Sequence, residues 1–222
     1  MKVYAILAAA GSGKRFSPKS KLPKQFLKLK DKPVILYSLL ALQKCKAVNY
    51  IIVTSDKKYF SLINRLAAKN KITKLSGLAK RGKTRFESVR NAFRKIKAND
   101  NDLVLIHDAV RPVIDNLFVS RIANAARRKN AVVYGLKIFD TVRKVNGGYI
   151  DRSNLWTIQT PQVFRFGVLS TAYKKISRIS YTDESSLVEK VGYKVKIIDG
   201  SRNNIKITTA DDLELAKKII KK

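Results

Sequence analysis

The sequence is poor in several residue types, and each shortage excludes a class of protein. Among 222 residues there is one cysteine and one histidine, so the chain can form no internal disulfide and carries no zinc-finger motif. No stretch approaches the roughly 18 unbroken apolar residues that a membrane span needs. The amino terminus also lacks the basic, apolar and small-residue order of a signal peptide. We therefore expect a cytoplasmic protein with no membrane partner.

The lone cysteine and the lone histidine are predicted to be structural residues. Cys45 ends the helical apolar pattern that starts at Val34, and no cysteine-protease signature surrounds it. His107 directly follows the apolar run Leu103 to Ile106, which favours a packed position at the end of a strand. Neither residue is expected to act as a nucleophile or to transfer protons.

Acidic residues are scarce as well, because 16 Asp and Glu face 47 Lys and Arg, which leaves a net charge of +31. This balance favours anionic partners. Nucleic acid is one candidate, but the basic residues are scattered along the chain instead of forming a stripe or a tail. Phosphorylated small molecules satisfy the same electrostatics, and compositional drift of the solvated surface is the third explanation.

Strand and helix patterns alternate along most of the chain. With 45% hydrophobic residues, the chain is long enough for one core, and we predict a single domain over residues 1–222. The alternation predicts an α/β fold with a Rossmann-like, wound, mostly parallel sheet. Strands are predicted at 3–7, 50–54, 103–106, 131–136 and 195–198, and helices at 34–43, 59–68, 86–96, 117–127, 168–176, 185–191 and 213–220.

The pattern changes after residue 136. Residues 141–145 alternate between polar and apolar, the segment 146–148 is a turn signal, and a short return strand begins at Tyr149. These features predict a β-arm over residues 137–158 that projects from the sheet.

A loop of small residues follows the first predicted strand and contains Gly11 and Gly13. Such a loop lets backbone N–H groups approach a phosphate. It is not a Walker A loop, which would need glycine at Ala8 and a hydroxyl at Arg15, and it lacks the third glycine of a dinucleotide-binding loop. Because Arg15 and Lys24 follow closely, the loop and its cations are suited to a triphosphate.

A second motif, residues 107–112, follows the strand at 103–106. Ligands of open parallel sheets gather at the carboxyl ends of the strands, and Asp108 lies at such an end. A carboxylate there can hold Mg²⁺ that bridges phosphate oxygens. Asp115 is the predicted cap of the next helix, so we expect Asp108 to remain free for a ligand.

The order of these segments resembles the 2-C-methyl-D-erythritol 4-phosphate cytidylyltransferase family over essentially the whole chain. The resemblance lies in eight blocks of sequence, at 7–15, 23–27, 85–89, 107–112, 140–142, 152–156 with 159–162, 182–189 and 204–208. Each block alone is weakly specific, but their joint order and spacing are specific. The resemblance implies a cytidylyltransferase that uses CTP and a polyol phosphate, releases pyrophosphate and requires Mg²⁺.

The resemblance also implies roles for individual residues. Arg15, Lys24 and Lys206 would neutralise charge at the reacting phosphates, and Asp108 would support Mg²⁺ and the nucleotide. Cytosine and ribose would lie against the segments that carry Ala9, Ala10, Gly11, Gly13, Gly82 and Ser88.

Family members exchange their arms within a homodimer. On that basis Thr141 and Arg152 would reach the acceptor phosphate in the partner's site, where Thr160, Thr182 and Lys206 would join them. Arg111 would support the site or the dimer.

Two positions depart from the family pattern. Arg81 and Lys83 flank Gly82 where many members have glycines before Arg85, and Asn203 stands where many have aspartate, so a second carboxylate for the metal is not implied. Two rival functions remain open. Ribitol-5-phosphate cytidylyltransferases share several blocks, although residues 152–156 and 182–186 favour the erythritol enzyme, and the net charge keeps a nucleic-acid-binding protein as a distant alternative.

Overall fold

The computed structural model of the chain describes residues 1–11, 16, 22–176 and 183–220. A seven-stranded sheet forms its centre. With strands numbered along the chain, its members are β1 (Val3–Ala8), β4 (Tyr50–Ser55), β5 (Leu75–Lys80), β6 (Leu103–Asp108), β7 (Ala131–Lys137), β10 (Trp156–Arg165) and β11 (Lys196–Asp199). Short two-residue strands make up two hairpins, β2 (Lys28–Leu29) with β3 (Lys32–Pro33) and β8 (Val142–Arg143) with β9 (Tyr149–Ile150).

The strand order is β11-β7-β10-β6-β1-β4-β5, and β10 is the member that runs antiparallel to its neighbours. This arrangement confirms the predicted α/β fold with a mostly parallel sheet. The chain winds outward from β1 to β4 and β5, then returns to place β6 on the other side of β1. The carboxyl ends of β1 and β6 therefore flank the point where the winding reverses, which is where open sheets of this kind bind ligands.

Helices cover both faces of the sheet. They are α1 (Val34–Lys44), α2 (Phe60–Lys69), α3 (Arg85–Phe93), α4 (Asn116–Ala126), α5 (Phe166–Lys175), α6 (Glu184–Lys190) and α7 (Ala210–Ile219), with 3₁₀ turns at Lys24–Phe26 and Lys57–Tyr59. The predicted cap of α4 is confirmed, because the carboxylate of Asp115 accepts a 2.7 Å hydrogen bond from the backbone N–H of Phe118. No helix in the described ranges is both long enough and apolar enough to cross a bilayer.

Alternate residues of β1 enter two different cores. Val3, Ala5 and Leu7 pack in one apolar cluster, whereas Tyr4 and Ile6 pack in a second cluster on the opposite face. A strand buried on both faces has no solvated side for polar residues. This burial explains the continuous apolar run that predicted the strand.

Two strands of the sheet, β5 and β10, were not predicted from the sequence. In β5, serine and glycine at Ser76 and Gly77 interrupt the apolar pattern. In β10, the polar residues Gln159, Thr160 and Gln162 interrupt it together with Pro161, and the pairing with β7 shifts register between Gln159 and Gln162. The polar side chains of β10 are buried, and Thr160 and Gln162 line the site described below.

The predicted arm contains an antiparallel hairpin of β8 and β9. Its turn uses Gly147 and Gly148 at positive φ, a backbone conformation that glycine adopts without a steric penalty. The side chains of Phe139, Val145 and Tyr149 are largely exposed to solvent. The arm therefore displays apolar residues that the domain itself does not bury.

Candidate active site

A cavity of about 300 Å³ opens at the carboxyl ends of β1, β4 and β6. It lies at the point where the sheet reverses its winding, and its volume is at the lower end of the range for small-molecule sites. Six of the residues predicted to bind the nucleotide line it: Ala9, Ala10, Gly11, Gly82, Ser88 and Asp108. We call it the nucleotide-side cavity. Gly13, also predicted for this site, lies outside the described residues.

The glycine loop above this cavity is held by a buried glutamine. The side-chain amide of Gln25 donates hydrogen bonds to the carbonyl oxygens of Ala9, at 2.7 Å, and Gly11, at 3.0 Å. At the start of the loop, the N–H of Ala9 donates to the carbonyl of Thr54 on β4. Sequence reasoning gave Gln25 no role, although its position next to Lys24 in a block shared with the family was the available signal.

Gly82 and Ser88 form the opposite wall of the nucleotide-side cavity. The hydroxyl oxygen of Ser88 accepts a hydrogen bond from the N–H of Gly82 at 2.9 Å and donates one to the carbonyl of Thr84 at 2.8 Å. A Cβ atom on residue 82 would collide with the Cβ and the backbone of Glu87, so only glycine fits there. Ser88 thus holds the wall in place while it lines the cavity.

Asp108 lies between two cations. Its Oδ1 is 3.1 Å from Nε of Arg85, and its Oδ2 is 2.7 Å from Nζ of Lys206. Burial acts to raise the pKa of Asp108, but the charges of Arg85 and Lys206 outweigh it and hold the pKa well below its usual range. Asp108 is therefore ionised. It does not cap α4, as expected, but its carboxylate is paired with Arg85 and Lys206.

Arg85 links Asp108 to a second buried carboxylate, Glu184. The Nη1 of Arg85 is 2.8 Å from Oε2 of Glu184, whose side chain is 1% exposed. Sequence reasoning missed both residues as members of the site. A signal existed, because Arg85 is the first residue of α3, and a cation at a helix amino terminus is unfavourable unless other groups compensate for it.

The two predicted lysines lie at this site. Lys24 and Lys206 both line the nucleotide-side cavity, Lys24 almost fully buried and Lys206 half-buried. The third predicted cation, Arg15, lies outside the described residues. The cavity therefore offers positive side chains around one buried carboxylate, a combination that suits a polyanionic ligand.

A second cavity, of about 450 Å³, adjoins the first. The two share Arg85, Asp108 and Lys206, so the second begins where the first ends. Its other lining residues include Thr160, predicted to bind the acceptor, and Arg111, predicted to support the site or the dimer. We call it the acceptor-side cavity. Thr182, also predicted here, lies outside the described residues.

A buried asparagine ties the segment of Lys206 to the rest of the site. The side-chain amide of Asn204 donates to the carbonyl of Thr160 at 2.8 Å and to Oε1 of Gln159 at 3.1 Å. The carbonyl of Asn204 accepts a 2.7 Å hydrogen bond from Nη1 of Arg111. Arg111 therefore supports the site through Asn204, two residues before Lys206.

His107 is fully buried and contacts Thr160, a lining residue of the acceptor-side cavity. Its Nε2 is 3.1 Å from the carbonyl oxygen of Arg111, and its Nδ1 is 3.1 Å from the hydroxyl of Thr160. Burial lowers the pKa of His107 to about 4, so the ring is neutral at physiological pH. This environment agrees with the prediction of a packed residue at the end of a strand.

The arm residues lie apart from both cavities. The Nη1 of Arg152 is 3.4 Å from Oγ1 of Thr141, and both side chains are exposed. Neither residue is among the described side chains that line the two cavities. The chain therefore exposes this pair to solvent instead of directing it into either cavity.

One carboxylate on the nucleotide side can take part in metal binding. Within the described ranges no three His, Cys, Asp or Glu side chains cluster as a metal site, and Asp108 is the carboxylate that lines the nucleotide-side cavity. Magnesium commonly binds proteins through one or two carboxylates together with substrate phosphates. Asp108 fits that pattern, provided that Lys206 releases Oδ2.

Comparisons with known proteins agree with this geometry. The family model described as 2-C-methyl-D-erythritol 4-phosphate cytidylyltransferase matches residues 3–222. The enzyme of that name from Syntrophus aciditrophicus is 37% identical, with coverage of 100% of this chain and 97% of the relative. The one from Geobacillus kaustophilus is 35% identical, with 99% and 97% covered.

Solved structures show the same relationship. The crystal structure of 4-diphosphocytidyl-2C-methyl-D-erythritol synthase from Anaerococcus prevotii superimposes with a TM-score of 0.84 at 28% identity, covering 98% of this chain and 95% of that one. The cytidylyltransferase from Thermus thermophilus gives a TM-score of 0.80 at 26% identity, covering 99% and 98%. The chain belongs to the 2-C-methyl-D-erythritol 4-phosphate cytidylyltransferase family.

Proposed function

We propose that this chain joins CTP to 2-C-methyl-D-erythritol 4-phosphate and releases pyrophosphate, a step of non-mevalonate isoprenoid precursor synthesis. One observation carries the proposal beyond family membership. The two cavities meet at Asp108, Arg85 and Lys206, so a nucleotide in one and a phosphorylated acceptor in the other would bring their phosphates together at a group of cations. We also propose a cytoplasmic location, where CTP is available.

The protein contributes to the reaction mainly by positioning the substrates and by neutralising the charge of their phosphates. An acceptor phosphate oxygen attacks the α-phosphorus of CTP and forms a new P–O bond, while the bond to the bridging α–β oxygen breaks and its electron pair leaves with pyrophosphate. A phosphate monoester is already ionised at neutral pH, so no general base is required. Positioning and neutralisation of charge supply the acceleration.

On the nucleotide side, cations and backbone groups would hold CTP. Lys24 and Lys206 would neutralise the triphosphate from the cavity wall, and Arg15 would join them. Residues 9–11 and Gly13 of the glycine loop, together with the segment at 82–88, would enclose the base and ribose. Asp108 would hold Mg²⁺ with the phosphate oxygens, and that ion would supply further neutralisation of charge when bound.

On the acceptor side, the chain would act as a homodimer. Thr160, Thr182 and Lys206 would contribute from one protomer, and Thr141 and Arg152 would reach the same site from the arm of the second copy. Two observations support this arrangement: the paired Thr141 and Arg152 lie outside their own protomer's cavities, and the arm exposes apolar side chains that an interface would bury.

Release of pyrophosphate from CTP with Mg²⁺ tests the proposal. We expect release with 2-C-methyl-D-erythritol 4-phosphate, and much slower release with ribitol 5-phosphate or when ATP, GTP or UTP replaces CTP. Release with ribitol 5-phosphate alone would instead identify the chain as a ribitol-5-phosphate cytidylyltransferase. No release with either acceptor, combined with steeply salt-dependent binding to DNA or RNA, would instead support the nucleic-acid-binding alternative.

A further inference from the structure

The hydroxyl of Thr160 has two buried polar neighbours. Its oxygen accepts a 3.1 Å hydrogen bond from the backbone N–H of Asp108, and it lies 3.1 Å from Nδ1 of His107. On the other side of the ring, Nε2 of His107 lies 3.1 Å from the carbonyl oxygen of Arg111. Thr160 itself is 4% exposed and lines the acceptor-side cavity.

The proton positions in this series of hydrogen bonds follow from its two ends, the carbonyl oxygen of Arg111 and the backbone N–H of Asp108. A carbonyl oxygen can only accept, so Nε2 of His107 must carry the proton that faces Arg111. His107 is fully buried, and among the described residues its ring nitrogens bond to a carbonyl and a hydroxyl instead of a carboxylate, which favours the uncharged ring. A neutral imidazole has one N–H, which leaves Nδ1 as an acceptor. Thr160 therefore donates its only hydroxyl proton to Nδ1. A hydroxyl has two lone pairs, and the N–H of Asp108 occupies one of them.

From this geometry we infer that His107 is a positioning residue that takes the hydroxyl proton of Thr160, so that Thr160 can only accept a hydrogen bond from a ligand in the acceptor-side cavity. An ionised phosphate has no proton to donate. Thr160 therefore recognises a hydroxyl group of the polyol, while the phosphate is left to cations such as Lys206. The identity of the ligand rests on the proposed function, whereas the orientation of the hydroxyl does not.

This assignment changes the predicted role of Thr160, from contact with the acceptor phosphate to recognition of the polyol. It also gives the buried His107 a function without proton transfer to substrate. The geometry is fixed from both sides, because Asn204 binds the backbone carbonyl of Thr160 while Asp108 and His107 hold its side chain. A ligand that binds here meets an oriented acceptor, which favours hydroxyl donors at one position of the polyol.

The tautomer of His107 provides the first test and needs no substrate. His107 is the only histidine of the chain, so its two ring nitrogens give a single pair of ¹⁵N signals in a long-range ¹H–¹⁵N NMR spectrum. At neutral pH we expect a protonated Nε2 and an unprotonated Nδ1. A protonated Nδ1 would overturn the inference, since Thr160 would then be free to donate its proton to a phosphate.

Substitutions of Thr160 provide the second test. For wild type, Thr160→Val and Thr160→Ser, kcat/KM would be measured with the erythritol phosphate and with analogues that each lack one hydroxyl. For one analogue, the wild-type kcat/KM should be about five- to tenfold lower than for the erythritol phosphate, the effect of one hydrogen bond. This preference for the erythritol phosphate should vanish in Thr160→Val and persist in Thr160→Ser. Because the two kcat/KM values are compared within one variant, any general loss of activity cancels from their ratio. Thr157→Val, an exposed position on the same strand, is the matched control and should keep the wild-type ratio.

Inhibition by methyl phosphate, which has the phosphate but no polyol, separates the two roles of Thr160. Its inhibition constant should change less than twofold in Thr160→Val. The inference fails if that constant rises as much as the KM for the erythritol phosphate, or if Thr160→Val retains every wild-type preference among the analogues. If polyol phosphates prove not to be substrates at all, the proposed function fails, and the NMR result still decides the orientation of the hydroxyl.

Discussion

The two cavities meet at Asp108, but they are built in different ways. The nucleotide-side cavity is shaped by backbone segments, which Gln25 and Ser88 hold in place through main-chain hydrogen bonds, and its positive charge comes from lysine and arginine side chains. The acceptor-side cavity rests on buried side chains that bond to one another: His107 with Thr160, and Asn204 with both Gln159 and Thr160.

This difference predicts which property a substitution affects. On the nucleotide side, we expect substitution of Lys24 to remove positive charge from around the ligand's phosphates and to leave the fold intact. On the acceptor side, removal of one buried partner leaves another buried polar group unpaired, which costs stability as well as activity. The following predictions test that distinction, from the largest expected effect to the smallest.

Lys24→Ala should have the largest effect and should act on the rate. Loss of a cation that stabilises a transition state typically lowers kcat by about a hundred- to a thousandfold. The thermal midpoint should stay within a few degrees of wild type. Steady-state kinetics and thermal unfolding measure the two quantities, with Lys28→Ala, an exposed neighbour, as the control. Wild-type turnover in Lys24→Ala would refute its role.

Glu184→Gln should act on stability. The substitution removes the charge of one of the two carboxylates that pair with Arg85 and leaves a largely buried guanidinium with a single charged partner, so we expect a loss of about 3 kcal/mol in the free energy of unfolding. Urea titration measures it. The exposed Glu214→Gln should change that free energy by less than about 0.5 kcal/mol. Equal, small effects of both substitutions would show that the buried pairs do not hold the acceptor side together.

His107 predicts a pH dependence of stability. Its pKa is about 4 in the folded protein and near 6.5 in the unfolded chain, so on acidification the unfolded chain binds the proton first. The contribution of His107 to the free energy of unfolding is therefore complete above about pH 6.5. It is lost as the pH falls toward 4, by about 3 kcal/mol in total. Urea midpoints at pH 7 and 4.5, for wild type and His107→Gln, isolate the effect. The prediction is wrong if both proteins lose the same free energy.

Arg152→Ala should have the smallest effect and should act on the acceptor. Because the residue is exposed on the arm, we expect an unchanged free energy of unfolding and about a tenfold higher KM for the erythritol phosphate. The exposed arm residue Arg143 offers the control variant Arg143→Ala. An effect on the KM for CTP alone would contradict the proposed use of the arm by a second copy.

Much of the fold could be predicted because its local signals agree with the tertiary structure. β1 is buried on both faces and is apolar throughout, and α4 begins at the acidic cap that the sequence indicated. Prediction failed for β10, where Gln159, Thr160 and Gln162 are polar yet buried. Their partners lie far along the chain, so no local pattern identifies them as strand residues.

The residue sequence by itself determined the α/β class, the glycine loop, the position of Asp108 at the end of a strand and the excess of positive charge. Each of these depends on the type and spacing of nearby residues. Only the tertiary structure decided that Asp108 is paired with Arg85 and Lys206, that Glu184 holds Arg85, and that His107 orients Thr160. These contacts join residues from 23 to 99 positions apart in the chain, and burial away from water gives them their strength.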